Sequence, residues 1–194
     1  MIEFYCGKLQ VVIKFSFFAV LLLMLELLKS DWGLWCAGAG LLHEVGHLLA
    51  YAAVGAVPRE ISFECGGIRI VPSGKLLSPG REAVVLAAGS SVNLIVGGLL
   101  MGLGTRYAAG FHLLLGCFNL LPLRALDGGQ LLGLLTEQLM APGAADWTCR
   151  IVNLLILVPL AWGGWRLFSQ TGNFSLILVL VCLIFAAVPV RQKI

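Results

Sequence analysis

Charged side chains are scarce in this sequence of 194 residues. Lysine, arginine, aspartate and glutamate together make up 12% of the residues, whereas hydrophobic residues make up 59% and the mean hydropathy is +0.96. A soluble domain carries about twice that share of charge. The composition therefore predicts an integral membrane protein in a lipid bilayer, with one membrane-embedded domain over residues 1–194 and no appended soluble domain.

Three other features are missing, and each excludes a class of protein. The 13 basic residues are scattered and are not interleaved with aromatic residues, so nothing in the sequence predicts nucleic-acid binding. The six cysteines lie far apart without a C-x-x-C pair, so we expect neither a disulfide nor a cysteine metal ligand. No internal repeat indicates a transporter built from inverted halves.

Hydrophobic runs predict an all-α polytopic fold with about six transmembrane helices, because each run can cross ~30 Å of hydrocarbon. A polar lead over residues 1–10 precedes the first run, which we expect to be retained because no A-x-A cleavage site follows it. A further apolar segment, residues 130–140, is too short to span and is expected to be interfacial or re-entrant. The predicted spans are residues 11–28, 33–54, 82–103, 108–123, 150–168 and 174–190.

A small β-hairpin is predicted between the second and third spans. Residues 60–65 and 68–71 alternate in polarity on either side of Gly66-Gly67, which is typical of two strands joined by a glycine turn. The edge of such a hairpin can pair with an extended peptide. An ordinary connecting hairpin explains the pattern equally well.

The distribution of basic residues predicts the orientation of the chain. With six spans and a cytoplasmic N-terminus, ten of the 13 basic residues lie on the cytoplasmic side and three lie outside. The positive-inside rule favours this arrangement, which makes both termini cytoplasmic.

The second span contains the motif His43-Glu44-Val45-Gly46-His47. Two histidines four residues apart lie on one face of a helix, so both imidazoles can reach one metal ion, and Glu44 can reach a water molecule at that ion. Such side chains are costly inside a membrane span. A buried histidine pair satisfied by neighbouring carbonyls is the alternative, but it leaves Glu44 without a purpose. The motif therefore predicts a metal site.

A catalytic zinc ion typically takes three protein ligands, so a third ligand must come from elsewhere in the chain. Asp127 is the best-placed carboxylate, because Pro122 should kink or end the fourth span and Gly128-Gly129 should permit backbone conformations closed to other residues. We thus expect Asp127 to lie at a break in regular structure. His112, near the outer end of the same span, is expected to be a polar interfacial residue.

These motifs together resemble the site-2 protease family of intramembrane zinc metalloproteases. The sequence HEVGH is followed about 70 residues later by N-x-x-P-x-x-x-x-D-G-G, and residues 88–93 are similar to a third family segment, A-G-P-x-x-N, with Ser90 where proline is common. The resemblance covers residues 33–130, the expected catalytic core. Its six spans and cytoplasmic-side metal resemble most the branch of stage IV sporulation protein FB.

The resemblance implies a set of roles for the site residues. Zinc would be bound by His43, His47 and Asp127, and Glu44 would act as the general base. Asn119 and Pro122 would lie near the substrate, although Asn119 could instead cap or bridge helices. The same two alternatives, a substrate contact or a helix bridge, stay open for Asn93.

The resemblance also implies a biological setting. The substrate would be a membrane-tethered protein cleaved near the cytoplasmic face of a bacterial cell membrane or forespore membrane. In the sporulation branch the substrate is a pro-sigma factor and inhibitory membrane partners act on the protease, whereas the sequence alone allows an anti-sigma factor or a remnant signal peptide equally. A membrane metal-ion transporter or metal sensor with the same ligands is the alternative function. The sequence does not predict the oligomeric state.

Overall fold

The computed structural model describes residues 1–7, 9–19, 22, 32–56, 58–64, 67–72, 77–172, 177, 180, 181 and 184. The chain divides into two compact units, Met1–Asn119 and Leu120–Ile194. The elements of the first unit, in chain order, are β1 (Ile2–Cys6), β2 (Leu9–Ile13), α1 (Trp32–Ala53), β3 (Pro58–Glu64), β4 (Gly67–Pro72), α2 (Pro79–Gly102) and α3 (Arg106–Asn119). Those of the second unit are α4 (Asp127–Leu139) and α5 (Pro142–Thr171). The prediction of one domain over the whole chain stays a prediction.

The predicted hairpin is present as β3 and β4, which pair antiparallel from Pro58↔Pro72 to Glu64↔Gly67. It forms half of a four-stranded sheet with the order β1-β2-β3-β4. β1 and β2 form a second antiparallel hairpin, and β2 runs parallel to β3. The chain is thus mostly helical but carries a larger sheet than the sequence predicts.

The N-terminal prediction is wrong over residues 1–13. The expected polar lead contains β1, and the expected start of the first span belongs to β2, where Val11 pairs with Ile61. Val11, Val12 and Ile13 are β-branched and pack well in a strand, and a short apolar run does not by itself distinguish a strand from a helix. Residues 15–19 are helical, and the remainder of the predicted first span lies, apart from Leu22, outside the described residues.

α1 and α2 bury their small and polar residues. Apart from Gly33, the buried residues of α1 lie three or four residues from one another and form one stripe: Ala39, His43, Gly46, His47 and Ala50. α2 has a matching stripe of Val85, Gly89, Ser90, Asn93 and Gly97. Small residues let two helix backbones approach closely, which is how helices associate where lipid removes the hydrophobic driving force.

The large apolar residues of the same helices face outward. Leu41 and Leu49 of α1 are 60% and 64% exposed, and Ile95 and Leu99 of α2 are 63% and 64% exposed. A soluble protein buries such side chains, because exposing them to water costs about 1.5–3 kcal/mol each. The pattern matches a lipid environment around these two helices.

Two helices among the described residues are long and apolar enough to cross a membrane: Pro79–Gly102, with a mean hydropathy of 2.0, and Gly143–Thr171, with 1.6. Few residues of either helix are buried, unlike those of a soluble core helix. The second predicted span matches α1 closely, while the fourth ends earlier than predicted, at Asn119. The prediction of six spans stays a prediction.

The remaining helices differ in length from the predicted segments. The fifth predicted span, residues 150–168, lies within α5, whose 30 residues continue through Pro159. The short helix expected at residues 130–140 is α4, whose 13 residues extend only ~20 Å and do not cross a bilayer. Of the sixth predicted span, only residues 177, 180, 181 and 184 are described, and these are helical.

Gly97 and Gly98 provide a matched test of the α2–α3 contact. A Cβ atom at Gly97 would lie 2.7 Å from Cγ of Leu113, whereas one at Gly98 would have no neighbour within 4 Å. We expect Gly97→Ala to lower the free energy of unfolding by about 1–3 kcal/mol through overpacking, and Gly98→Ala to leave it unchanged or raise it slightly. Denaturation of the two variants in detergent checks this, and equal effects would contradict the described packing.

Candidate metal centre

The two histidines of the motif lie side by side on α1 and are buried. His43 is 6% exposed and His47 is 9% exposed. Their rings are nearly perpendicular, with an interplanar angle of 85°, and their Nε2 atoms lie 3.2 Å apart. Two imidazole nitrogens bound tetrahedrally to one zinc ion at 2.0–2.1 Å are about 3.3 Å apart. The spacing of the pair therefore fits a shared metal ion.

The backbone of α2 fixes the ring of His47. Its Nδ1–H group donates a hydrogen bond of 2.8 Å to the carbonyl oxygen of Val85. This bond selects the tautomer in which Nε2 carries a lone pair, which is the form that binds a metal. The sequence did not single out Val85, because the carbonyl that receives this bond carries no side-chain signal.

Gly89 of α2 lies against the same two rings. A Cβ atom at this position would collide with Nε2 of His47 and would lie 2.8 Å from Cε1 of His43. Gly46, which directly precedes His47 on α1, packs against the α2 backbone. A Cβ atom added at Gly46 would lie 3.1 Å from the carbonyl oxygen of Ala88 and from Cα of Gly89. The two helices thus meet backbone to backbone at the level of the histidines.

Asp127 is the first residue of α4, following Leu126 at the N-cap. The predicted break in regular structure is the segment 120–126, which ends at Leu126 and presents Asp127 in the first helical turn. A carboxylate is electrostatically favoured there, because the unpaired N–H groups of a helix N-terminus carry partial positive charge.

The reason for Gly128-Gly129 also differs from the prediction. Both residues are helical, and neither has a positive φ. Instead, a Cβ atom at Gly128 would collide with the carbonyl oxygen of Leu120, and one at Gly129 with that of Leu123. The two glycines let the preceding loop fold tightly over the start of α4, and this loop sets the position of Asp127.

The three predicted ligands are divided between the two units: His43 and His47 are on α1 of the first, and Asp127 begins α4 of the second. All three are candidate metal ligands. Two imidazole nitrogens and one carboxylate oxygen are a donor set found at catalytic zinc sites with an open fourth position. The residues therefore fit a zinc ion.

Glu44 follows His43 directly on α1 and is partly buried. Successive helix residues are rotated by about 100°, so Glu44 lies roughly 60° around the helix from His47. The carboxylate thus projects beside the histidine pair, nearer to His47 than to His43 around α1, and it is not one of the three candidate ligands.

Asn93 and His112 form a buried polar pair that connects α2 and α3. The Nδ1–H group of His112 donates a hydrogen bond of 3.0 Å to Oδ1 of Asn93, which is 0% exposed. The expectation of an interfacial His112 is therefore wrong, because its side chain is only 6% exposed. For Asn93 the geometry favours the helix-bridging alternative. The spacing of 93 and 112 along the sequence carries no signal for this pairing.

Asn119 and Pro122 lie on either side of the end of α3. The Asn119 amide donates a hydrogen bond of 3.2 Å to the carbonyl oxygen of Leu115, one turn back. Pro122 lies three residues beyond the helix end and is partly buried. Asn119 thus bonds back to the backbone of its own helix, four residues earlier, and both of its predicted alternatives stay predictions.

Comparison with solved structures shows a shared fold. The chain is similar to the site-2 protease from Methanocaldococcus jannaschii, with a TM-score of 0.70 and 20% sequence identity over 96% of this chain and 93% of that one. No protein-family model matches the sequence, and no curated protein matches it.

The Asn93–His112 pair can be tested by a double-mutant cycle. We expect His112→Phe to lower the free energy of unfolding by about 1–3 kcal/mol, because it leaves buried Asn93 without its partner. Combining it with Asn93→Val should cost less than the sum of the two single changes, since both polar groups are then removed together. Denaturation in detergent measures the cycle, and strictly additive costs would contradict the bond.

Proposed function

We propose that this chain is an intramembrane zinc metalloprotease of the site-2 type that cleaves a membrane-tethered protein. The observation that carries the proposal is the buried pair of His43 and His47, whose Nε2 atoms lie 3.2 Å apart, close to the spacing that one zinc ion requires. Asp127 is the third ligand that we propose. The shared fold with a site-2 protease supports it. Glu44, adjacent to the first histidine, adds the one further group that peptide hydrolysis needs.

The surroundings of the histidine pair support catalysis within a bilayer. The helices that carry His43, His47 and Gly89 bury small and polar residues and expose leucine and isoleucine. A helix of α2's length and hydropathy spans the hydrocarbon core. The cleavage site on the substrate is therefore proposed to lie within or close to the membrane.

The residues divide the chemistry among them. Bound zinc would supply Lewis acidity, which polarises the scissile carbonyl and makes a water molecule easier to deprotonate. Glu44 accepts the proton of the attacking water and returns it to the departing amine, as a general base and then a general acid. The Val85 carbonyl keeps Nε2 of His47 unprotonated through the hydrogen bond at Nδ1.

The substrate must present an unwound backbone, because a transmembrane helix hides its peptide bonds in internal hydrogen bonds. We place Asn119 and Pro122 beside this extended segment. The end of α3 and the following loop supply amide and carbonyl groups that do not belong to a regular helix. With the predicted orientation, cleavage occurs near the cytoplasmic face.

A pro-sigma factor is the specific substrate that we propose, by similarity of the motifs to the sporulation branch. It would be tethered to the cell membrane or forespore membrane, and inhibitory membrane proteins would hold the protease inactive. An anti-sigma factor or a remnant signal peptide would be cleaved by the same chemistry. These alternatives differ only in the tethered protein and leave the roles of the site residues unchanged.

Glu44→Gln and Asp127→Ala separate catalysis from metal binding. Co-expressed with a tethered pro-sigma factor, the wild-type chain should release the cytoplasmic fragment. We expect Glu44→Gln to reduce cleavage by at least ~100-fold while retaining zinc, because the general base is lost but the ligands remain. Asp127→Ala should lose both cleavage and most bound zinc. Immunoblotting and metal analysis of the purified chains measure the two effects.

Glu137→Gln is the matched control. Because Glu137 is an exposed glutamate on α4, its replacement should change neither cleavage nor the amount of bound zinc. Zinc binding without cleavage of any tethered substrate would favour the alternative function, a metal transporter or metal sensor. A wild-type chain without zinc would contradict the central proposal.

A further inference from the structure

We propose that Gly89 is a positioning residue for the metal: the missing side chain at this position lets both histidines turn their Nε2 atoms toward one ion. The inference rests on the proposed function, because it concerns the same centre. Gly89 binds nothing itself. It acts through His43 and His47, whose rings lie against its Cα atom.

The space at Gly89 is bounded by the ligand atoms themselves. A Cβ atom would collide with Nε2 of His47, would lie 2.8 Å from Cδ2 of the same ring, and would lie 2.8 Å from Cε1 of His43. Real Cβ atoms do not approach other heavy atoms this closely. Alanine at position 89 would therefore require one or both imidazoles to move.

The ring of His47 has little freedom to move away. Its Nδ1–H group is held by the carbonyl of Val85, four residues before Gly89 on the same helix. Rotation that relieves a contact at Nε2 would stretch or break this bond of 2.8 Å. The α2 backbone thus holds the imidazole by the hydrogen bond at Nδ1, while Gly89 leaves open the space beside Nε2.

Metal coordination is sensitive to such a displacement. Zinc–ligand distances are held to about ±0.2 Å, and the two Nε2 atoms are 3.2 Å apart, close to the spacing that zinc requires. Disturbing the groups that orient a ligand histidine typically weakens metal binding about 10–100-fold. Gly89→Ala is expected to have an effect of this size.

Other glycines of α2 show that this role is specific to position 89. Gly80, Gly98 and Gly102 have open space where a Cβ atom would lie. Gly97 lies against Leu113 of α3 and serves only the contact between the two helices. Helix packing and metal positioning are therefore assigned to different glycines, Gly97 and Gly89, on one helix.

The test measures Zn²⁺ and Co²⁺ binding to the metal-free full-length chain in detergent, by competition with a chelating dye. Gly89→Ala should weaken zinc binding about 10–100-fold and change the visible absorption spectrum of the cobalt form. Gly98→Ala should bind zinc as the wild type does. Gly97→Ala should lower stability without altering zinc affinity, which separates positioning from packing.

A second measurement keeps the inference testable if Gly89→Ala folds poorly. The thermal midpoints of the metal-free wild type, Gly89→Ala, His47→Ala and the double variant form a cycle. Because the collision is with the His47 ring, Gly89→Ala should lower the thermal midpoint at most about half as much when residue 47 is alanine as it does in the wild type. An undiminished loss would overturn the inference.

The outcomes distinguish the two proposals. A wild-type chain that binds no zinc overturns the proposed function itself. A wild-type chain that binds zinc, together with a Gly89→Ala variant that binds it equally well, overturns only the role of Gly89.

Discussion

The contact between the histidine pair of α1 and the bare backbone of α2 is the constraint on which the first unit depends. His43 and His47 are large polar rings in a buried stripe, and they fit only where the facing helix presents no side chain. Gly89 provides that space, and Val85 provides the carbonyl that satisfies His47. Moving α2 along its axis by one residue would place a side chain against the rings and remove the hydrogen bond. The register of the helix pair is therefore fixed by the site.

The same constraint explains why the bundle has small residues inside and large apolar residues outside. Helices that meet at glycine bring their backbones close, so their contact faces cannot also hold leucine side chains. The leucines and isoleucines therefore face outward, where lipid accepts them without the cost that water would impose. Asn93 and His112 extend the polar interior to α3, where the Nδ1–H group of His112 donates to Oδ1 of Asn93. Lipid thus covers the large apolar side chains that a soluble domain would bury in a hydrophobic core.

The sequence predicted the parts of the site whose chemistry lies in side chains and whose spacing is local. The histidine pair and the β3–β4 hairpin carry such signals, and the structure has both where they were expected. The role of Asp127 as a metal ligand stays a prediction. Val11 to Ile13 were misread because a short β-branched run suits a strand or a membrane helix equally, and only its pairing with β3 decides. Gly89 was missed for another reason: a sequence shows that a residue is small, but not which atoms occupy the space that it leaves.

These requirements also explain how two chains with 20% identity can share a fold at a TM-score of 0.70. The residues that the geometry specifies by type are few: the candidate ligands, the glutamate beside them, and the glycines at close backbone contacts. Outward positions need only be apolar, since lipid does not distinguish leucine from isoleucine or valine as a packed core does. Most of the sequence is therefore free to vary while the backbone arrangement stays fixed. In such a fold, identity over the whole chain reflects mainly the lipid-facing surface, whereas the chemistry depends on the few residues at the centre.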